Sequence, residues 1–174
     1  MQINWFKLDD LAKLPTKREE DAGFDIYTTE DNVLLMPHQK HQFATSLAVA
    51  PEKGWWMFAC DRGSTGSRGI HTHCGIIDNG YRGEIFICLC NDNNYPVKFT
   101  NQIDKIYITT DFYFDENGKE CYGKILYYPV SKAIAQLIPM PQPAVESNEI
   151  TDATEWEALC NTERGAGKLG ASGK

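Results

Sequence analysis

Asp78 and Tyr81 stand in the stretch Gly75-Ile76-Ile77-Asp78-Asn79-Gly80-Tyr81-Arg82-Gly83. A carboxylate sits at the mouth of a bend and an aromatic ring just past it. A carboxylate held in this way can act as a general base on a positioned water. The backbone groups of Gly75, Ile76 and Ile77, ending at Asp78, form a slot that suits a flat polar ring joined to a sugar. A second constellation is Asp61-Arg62-Gly63-Ser64-Thr65-Gly66-Ser67-Arg68-Gly69. Its glycines, hydroxyls and arginines expose backbone N–H groups and permit the geometry of an anion nest. A helical turn is expected to start near Ser64 and to add its N-terminus to the same anion. Asp25 alternates with Phe24 and Ile26 and so faces away from the residues that bury. Taken singly, each stretch also reads as an ordinary solvated turn.

These residues need a scaffold of strands. Asn79-Gly80 between Ile76-Ile77 and Ile85-Phe86-Ile87 predicts a β-hairpin. Further strands are predicted over 2–8, 33–36, 41–50 and 55–60, with a loop over 9–20 and a polar stretch over 91–104. A second hairpin is expected from Lys105 to Phe114 and back from Cys121 to Tyr128, turning at Asp115-Glu116-Asn117-Gly118. A short strand over 133–138 is closed by Pro139, Pro141 and Pro143. After Pro143 the composition shifts, with one helical turn expected at Glu155–Leu159. The end, from Arg164 to Lys174, is too rich in glycine to pack a core. Short strands with turns about every ten residues predict an all-β barrel or sandwich, a jelly roll.

The chain has 174 residues and a net charge of −7. That is the size of one domain with an appendage. The acidic balance argues against a nucleic-acid partner, which calls for a basic face. No apolar run reaches the roughly 18–20 residues of a membrane helix. The start, Met1-Gln2-Ile3-Asn4-Trp5, carries no leader pattern, so a cytoplasmic address is expected. Cys60, Cys74, Cys88, Cys90, Cys121 and Cys160 form no Cys-x-x-Cys pair and read as reduced small hydrophobes. His71-Thr72-His73-Cys74 is not read as a zinc site, because Cys74 points away from the two histidines in an extended strand.

The order of the motifs is more specific than any one of them. Asp21-Ala22-Gly23-Phe24-Asp25, Arg62-Gly63-Ser64-Thr65, Gly75 through Gly83, Ile134-Ala135-Gln136-Leu137 and the Arg-Gly-rich end together resemble the trimeric, all-β dUTP diphosphatase (dUTPase) family. The resemblance covers nearly the whole chain. It implies a jelly-roll or distorted barrel over 1–143, a linker and flexible arm over 144–174, and a homotrimer with shared active sites. It implies cleavage of dUTP to dUMP and diphosphate with Mg²⁺, which keeps uracil out of DNA. In those terms Asp78 activates the water that attacks the α-phosphorus. Tyr81 packs the deoxyribose, and the backbone of Gly75, Ile76 and Ile77 reads the uracil. Arg62, Gly63, Ser64 and Gln136 hold phosphates, and Asp25 holds the metal through water. Arg164, Gly170, Ala171 and Ser172 close over the γ-phosphate.

The chain departs from the family pattern in places. Gly63 stands where a serine is usual, Leu169 where an aromatic covers the uracil, Lys168 where a glycine precedes it, and Ala171 where a hydroxyl is usual. Asp78 to Gln136 is a long interval for the family. The excess, roughly 94–128, resembles inserts of bacteriophage members and would place the protein in the cytoplasm of a host cell. Its aromatic residues make it a candidate surface for a protein partner. Two other readings stay open. One is a dUTP-binding switch, with or without turnover, that contacts its partner through the insert. The other is a dCTP deaminase-like enzyme, for which Cys88 occupies the position of the required Glu.

Overall fold

The computed structural model describes residues 1–162. They fall into two units, Met1–Gln142 and the segment from Pro143 onward. In the first unit β1 is Ile3–Lys7, β2 Phe24–Ile26, β3 Val33–Leu35, β4 Lys40–Ala44 and β5 Leu47–Pro51. β6 is Trp55–Cys60, followed by the single helical turn α1, Gly63–Gly66, and by β7, Ile70–His73. β8 is Ile76–Ile77, β9 Phe86–Asn91 and β10 Val97–Thr100. β11, Tyr107–Phe114, and β12, Glu120–Pro129, form the long hairpin, and β13 is Ala135–Pro141. The second unit contains α2, Ala153–Leu159, whose N-cap Asp152 accepts from the Thr154 N–H at 2.7 Å. No helix among the described residues is long and apolar enough to cross a membrane.

The strands assemble into an all-β fold of four sheets, ordered β1-β5, β11-β12-β10-β3, β2-β13-β6-β8 and β4-β9-β7. Phe43 of β4 meets Phe99 of β10 with ring centroids 4.7 Å apart, and Phe99 meets Tyr128 of β12 at 5.3 Å. All three are fully buried. They join two sheets through tilted ring contacts, a favoured aromatic geometry.

Four expectations are corrected. The stretch 41–50 is not one strand: it breaks at Thr45-Ser46, where Ser46 takes φ 51°. That left-handed conformation is uncommon away from glycine. Here the Ser46 N–H donates to Glu84 at 2.8 Å and its hydroxyl to Asp9 at 2.6 Å, which holds the bend. The predicted hairpin around Asn79-Gly80 does not form a ladder either. β8 pairs with β6, whereas β9 pairs with β4 and β7. A tight two-residue hairpin of the Asn-Gly type needs positive φ at both residues, and the described residues with positive φ include neither. Asn79 instead donates its side-chain amide to the carbonyls of Pro51, Glu52 and Trp55 at 3.2, 2.9 and 2.6 Å.

β13 runs through Pro139 and Pro141 instead of stopping before them. Its pairing with β2 ends at Leu137, and beyond that point only β6 lies beside it. A proline is tolerated where one side of a strand is an open edge. Finally, the polar stretch 91–104 hides β10, in which Val97 and Phe99 are fully buried. Four residues with two apolar positions are too short for their alternation to stand out from the flanking asparagines.

Candidate active site

Sheet register brings the acidic, amide and guanidinium groups together. On β13, Gln136 lies opposite Asp25 of β2 on one side and Cys60 of β6 on the other. β6 ends at Cys60, and the next two residues, Asp61 and Arg62, lead into α1. Arg62 turns back over the strands toward Asp25. Its Nε donates to Asp25 Oδ1 at 2.6 Å and its Nη2 to Oδ2 at 2.7 Å. Its Nη1 donates to Ser64 Oγ at 3.0 Å and to the Ala133 carbonyl at 3.3 Å. Burial works against the guanidinium charge, but the hydrogen bonds and charge of Asp25 outweigh it and raise the Arg62 pKa. The Gln136 amide donates to the Asp61 carbonyl at 2.7 Å.

Asp25, Arg62, Gly63, Ser64 and Gln136 line one cavity of about 640 Å³. The loop before β2 forms another wall, with Lys17, Arg18 and Asp21. Thr16 ties that loop to the site by exchanging two backbone hydrogen bonds with Asp25, at 3.1 and 2.7 Å. In the sequence this charged run reads as a plain loop. The signal available was its position immediately before Asp25. Asp61 stands behind the site: burial pushes its carboxyl up, but the bonds from His71 (2.7 Å) and the Thr72 N–H (2.5 Å) outweigh this and hold it below the usual range. His71 is therefore tied to Asp61.

Ile76, Ile77, Asp78 and Tyr81 line a second cavity of about 280 Å³, together with Gln42 and Glu84. Asp78 and Tyr81 are exposed. Tyr81 donates its hydroxyl to the Glu84 carbonyl at 2.9 Å, which folds the ring back over the bend. Gly83 allows this, since a Cβ there would lie 2.5 Å from that hydroxyl. Gly75 lies against β6: its carbonyl accepts from the Ala59 N–H at 2.6 Å, and a Cβ on it would stand 2.3 Å from the Ala59 oxygen. Cys88 also lines this cavity, and burial pushes its thiol up, so it is ill suited to shuttle protons.

The two cavities of one chain do not merge. Ile77, one residue before Asp78, lies opposite Met57, and Gln136 lies opposite Cys60. Three residues of β6 separate them, about 10 Å along the strand, and two strand spacings, about 10 Å, separate them across the sheet. Asp78 and the Asp25–Arg62 cluster thus line separate cavities of the chain. Arg164, Lys168, Leu169, Gly170, Ala171 and Ser172 lie outside the described residues.

A dUTPase family model matches residues 9–106. A deoxyuridine 5'-triphosphate nucleotidohydrolase of Nocardia farcinica is 32% identical over 173 residues, covering 96% of this chain and 82% of that protein. A Pol polyprotein of caprine arthritis encephalitis virus is 36% identical over 81 residues, which are 47% of this chain and only 7% of that polyprotein. The structure of Staphylococcus bacteriophage 80alpha dUTPase with dUPNHPP has a TM-score of 0.73 at 23% identity, covering 99% of both chains, and supports the fold. On the extent of the family match and of the Nocardia alignment, the chain belongs to the dUTPase family.

Proposed function

We propose that the chain hydrolyses dUTP to dUMP and diphosphate. The observation that carries this reading is the convergence of Arg62, Ser64, Gln136 and Asp25 on one polar cavity, in a dUTPase-family chain whose Asp78 and Tyr81 share another. The first cavity suits a phosphate chain and the second a nucleoside. Arg62, held in place by Asp25, brings a fixed positive charge to the cavity and Ser64 a hydroxyl, a pairing suited to phosphate oxygens. In the nucleoside cavity, Tyr81 presents its ring to the sugar, and the backbone of Ile76 and Ile77 presents hydrogen-bonding groups to the base. A cytosine would leave a buried donor unpaired, which costs about 1–3 kcal/mol.

Asp78 is the general base in this reading. Its carboxylate orients a water, accepts its proton and directs the oxygen to the α-phosphorus. The bond to the β-phosphate oxygen breaks and diphosphate leaves. A base must lie within hydrogen-bond reach of the water it activates. The roughly 10 Å by 10 Å offset between the two cavities of one chain therefore calls for Asp78 of one copy to face the phosphate cavity of another. That supports a homotrimer with shared active sites.

Mg²⁺ fits the donor set. Among the described residues no group of three or more ligating side chains exists, and Mg²⁺ commonly takes one carboxylate plus waters and phosphate oxygens. Asp25 would hold the ion through water, with Gln136 lining the same cavity. When bound, the ion would neutralise triphosphate charge. The protein's part is to keep Asp25 and Arg62 aligned beside it.

The test is diphosphate release from dUTP, dTTP, dCTP and UTP with Mg²⁺, for the native chain and Asp78→Asn. Turnover confined to dUTP and abolished by the substitution is expected. Binding of dUTP without release would sink the hydrolytic reading and favour a nucleotide switch. That second reading has one structural support. Phe112, Phe114 and Tyr122 of the long hairpin are each more than 60% exposed, which suits a protein-contacting surface.

A further inference from the structure

We propose that Tyr128 is a positioning residue for the phosphate cavity, and that through it the long hairpin is wired to Arg62. The inference rests on the hydrolytic reading above only for its consequence in turnover. Its geometry is independent of that reading.

Tyr128 lies on β12, the return strand of the hairpin, in parallel register with Phe99 of β10. Its side chain is fully buried. A buried hydroxyl is costly unless it is hydrogen-bonded, and phenylalanine would fill the same space beside Phe99 without that cost. The hydroxyl has a specific partner: it donates to the Ala133 carbonyl at 2.7 Å. The same carbonyl oxygen accepts from Arg62 Nη1 at 3.3 Å. That Nη1 also reaches Ser64, and Nε and Nη2 of the guanidinium hold Asp25. The phenol also faces the side chains of Arg62 and Ser64 directly.

The next residue, Ile134, donates its N–H to the Ile26 carbonyl at 2.9 Å, so Ala133 sits where the chain enters the sheet that carries Gln136 and Asp25. Tyr128 therefore fixes an acceptor that aims one arm of the guanidinium, while Asp25 aims the other. On the opposite strand of the hairpin, Tyr107 stacks on Tyr127 at 5.0 Å, adjacent in sequence to Tyr128. A load on the hairpin thus has a contiguous path to the phosphate cavity: β11, β12, Tyr128, the Ala133 carbonyl and Arg62.

The experiment compares the native full-length chain with Tyr128→Phe, which keeps the ring and removes the hydroxyl. Calorimetry measures the affinity of inorganic diphosphate and, separately, of deoxyuridine, which carries no phosphate. Thermal melting checks the fold. Diphosphate affinity is expected to fall roughly three- to tenfold, the factor carried by about one hydrogen bond, with deoxyuridine affinity unchanged. In turnover, the loss should appear mainly in KM for dUTP. Equal affinities in both proteins, a parallel loss of both ligands, or a Phe variant that does not fold would each overturn the proposal in favour of a core-packing role. A native chain that binds no diphosphate would overturn it as well. A native chain that binds diphosphate but leaves dUTP intact would refute the hydrolytic reading alone, and the diphosphate comparison would still decide the role of Tyr128.

Discussion

Asp25 and Arg62 meet as a two-point fork, Nε to Oδ1 at 2.6 Å and Nη2 to Oδ2 at 2.7 Å, across 37 positions of sequence. Both side chains are about 70% buried (26% and 30% exposed). The pair locks the first strand of the site to the turn that opens the phosphate nest.

Replacing Asp25 with Asn keeps the shape and removes one charge of the pair. The guanidinium is then left partly desolvated without its counter-charge. Stability is expected to fall by about 1–2 kcal/mol, less than for a fully buried pair because solvent still screens both groups. The melting temperature should drop by a few degrees. The Mg²⁺ concentration giving half-maximal turnover should rise, and a titration of rate against Mg²⁺ checks it.

Gly63 is the first residue of α1, and a Cβ placed on it would meet nothing within 4 Å. Gly63→Ser is therefore expected to fold as well as the native chain. Its hydroxyl would add a donor beside the leaving diphosphate, and kcat/KM for dUTP should rise about three- to tenfold, one hydrogen bond's worth. Steady-state kinetics with unchanged melting behaviour would confirm it, and an unchanged rate would show that Ser64 already fills the role.

Gly75 admits no side chain, since its Cβ would press on the Ala59 carbonyl at 2.3 Å. Gly75→Ala must push β8 away from β6 and lengthen the 2.6 Å bond between the Ala59 N–H and the Gly75 carbonyl. Overpacking of this kind costs about 1–3 kcal/mol. Denaturant unfolding should show that loss. Deoxyuridine binding should weaken, because Ile76 and Ile77 move with the strand.

The long hairpin has its own pH signature. Burial first, and then the hydrogen bond to Asp111 at 2.8 Å, pushes the Tyr127 phenol up to about 12. An unfolded phenol titrates near 10. The folded chain therefore holds this proton more tightly. The contribution to stability is complete below about pH 10 and is lost as pH rises toward 12. Tyr127→Phe removes it. The gap in melting temperature between the native chain and the variant should be constant from neutral pH to about 10 and should close above that. Burial also pushes the Tyr128 phenol up, so the tyrosinate absorbance titration should show one fewer late-ionising phenol in the variant than in the native chain.

Local sequence was sufficient for much of this. The spacing of Asp25, Arg62, Ser64, Asp78, Tyr81 and Gln136 along the chain named the chemical groups, because each motif is a short run whose residue types carry their own chemistry. Turn residues and alternation located most strands, including the long hairpin with its Asp115–Gly118 turn, because these depend on neighbours only a few positions away. Tertiary structure decided the rest. Asn79-Gly80 reads as a hairpin turn, yet the two flanking strands join different sheets, since β6, β4 and β7 offer their edges and Asn79 is taken up by three distant carbonyls. Pro139 and Pro141 read as a stop, yet they lie on a strand whose second neighbour has ended. The Asp25–Arg62 fork and Tyr128 behind Arg62 have no local signal at all. Their partners are set by strand pairing between residues far apart in sequence, and that pairing is chosen by burial of the whole core and not by any single stretch.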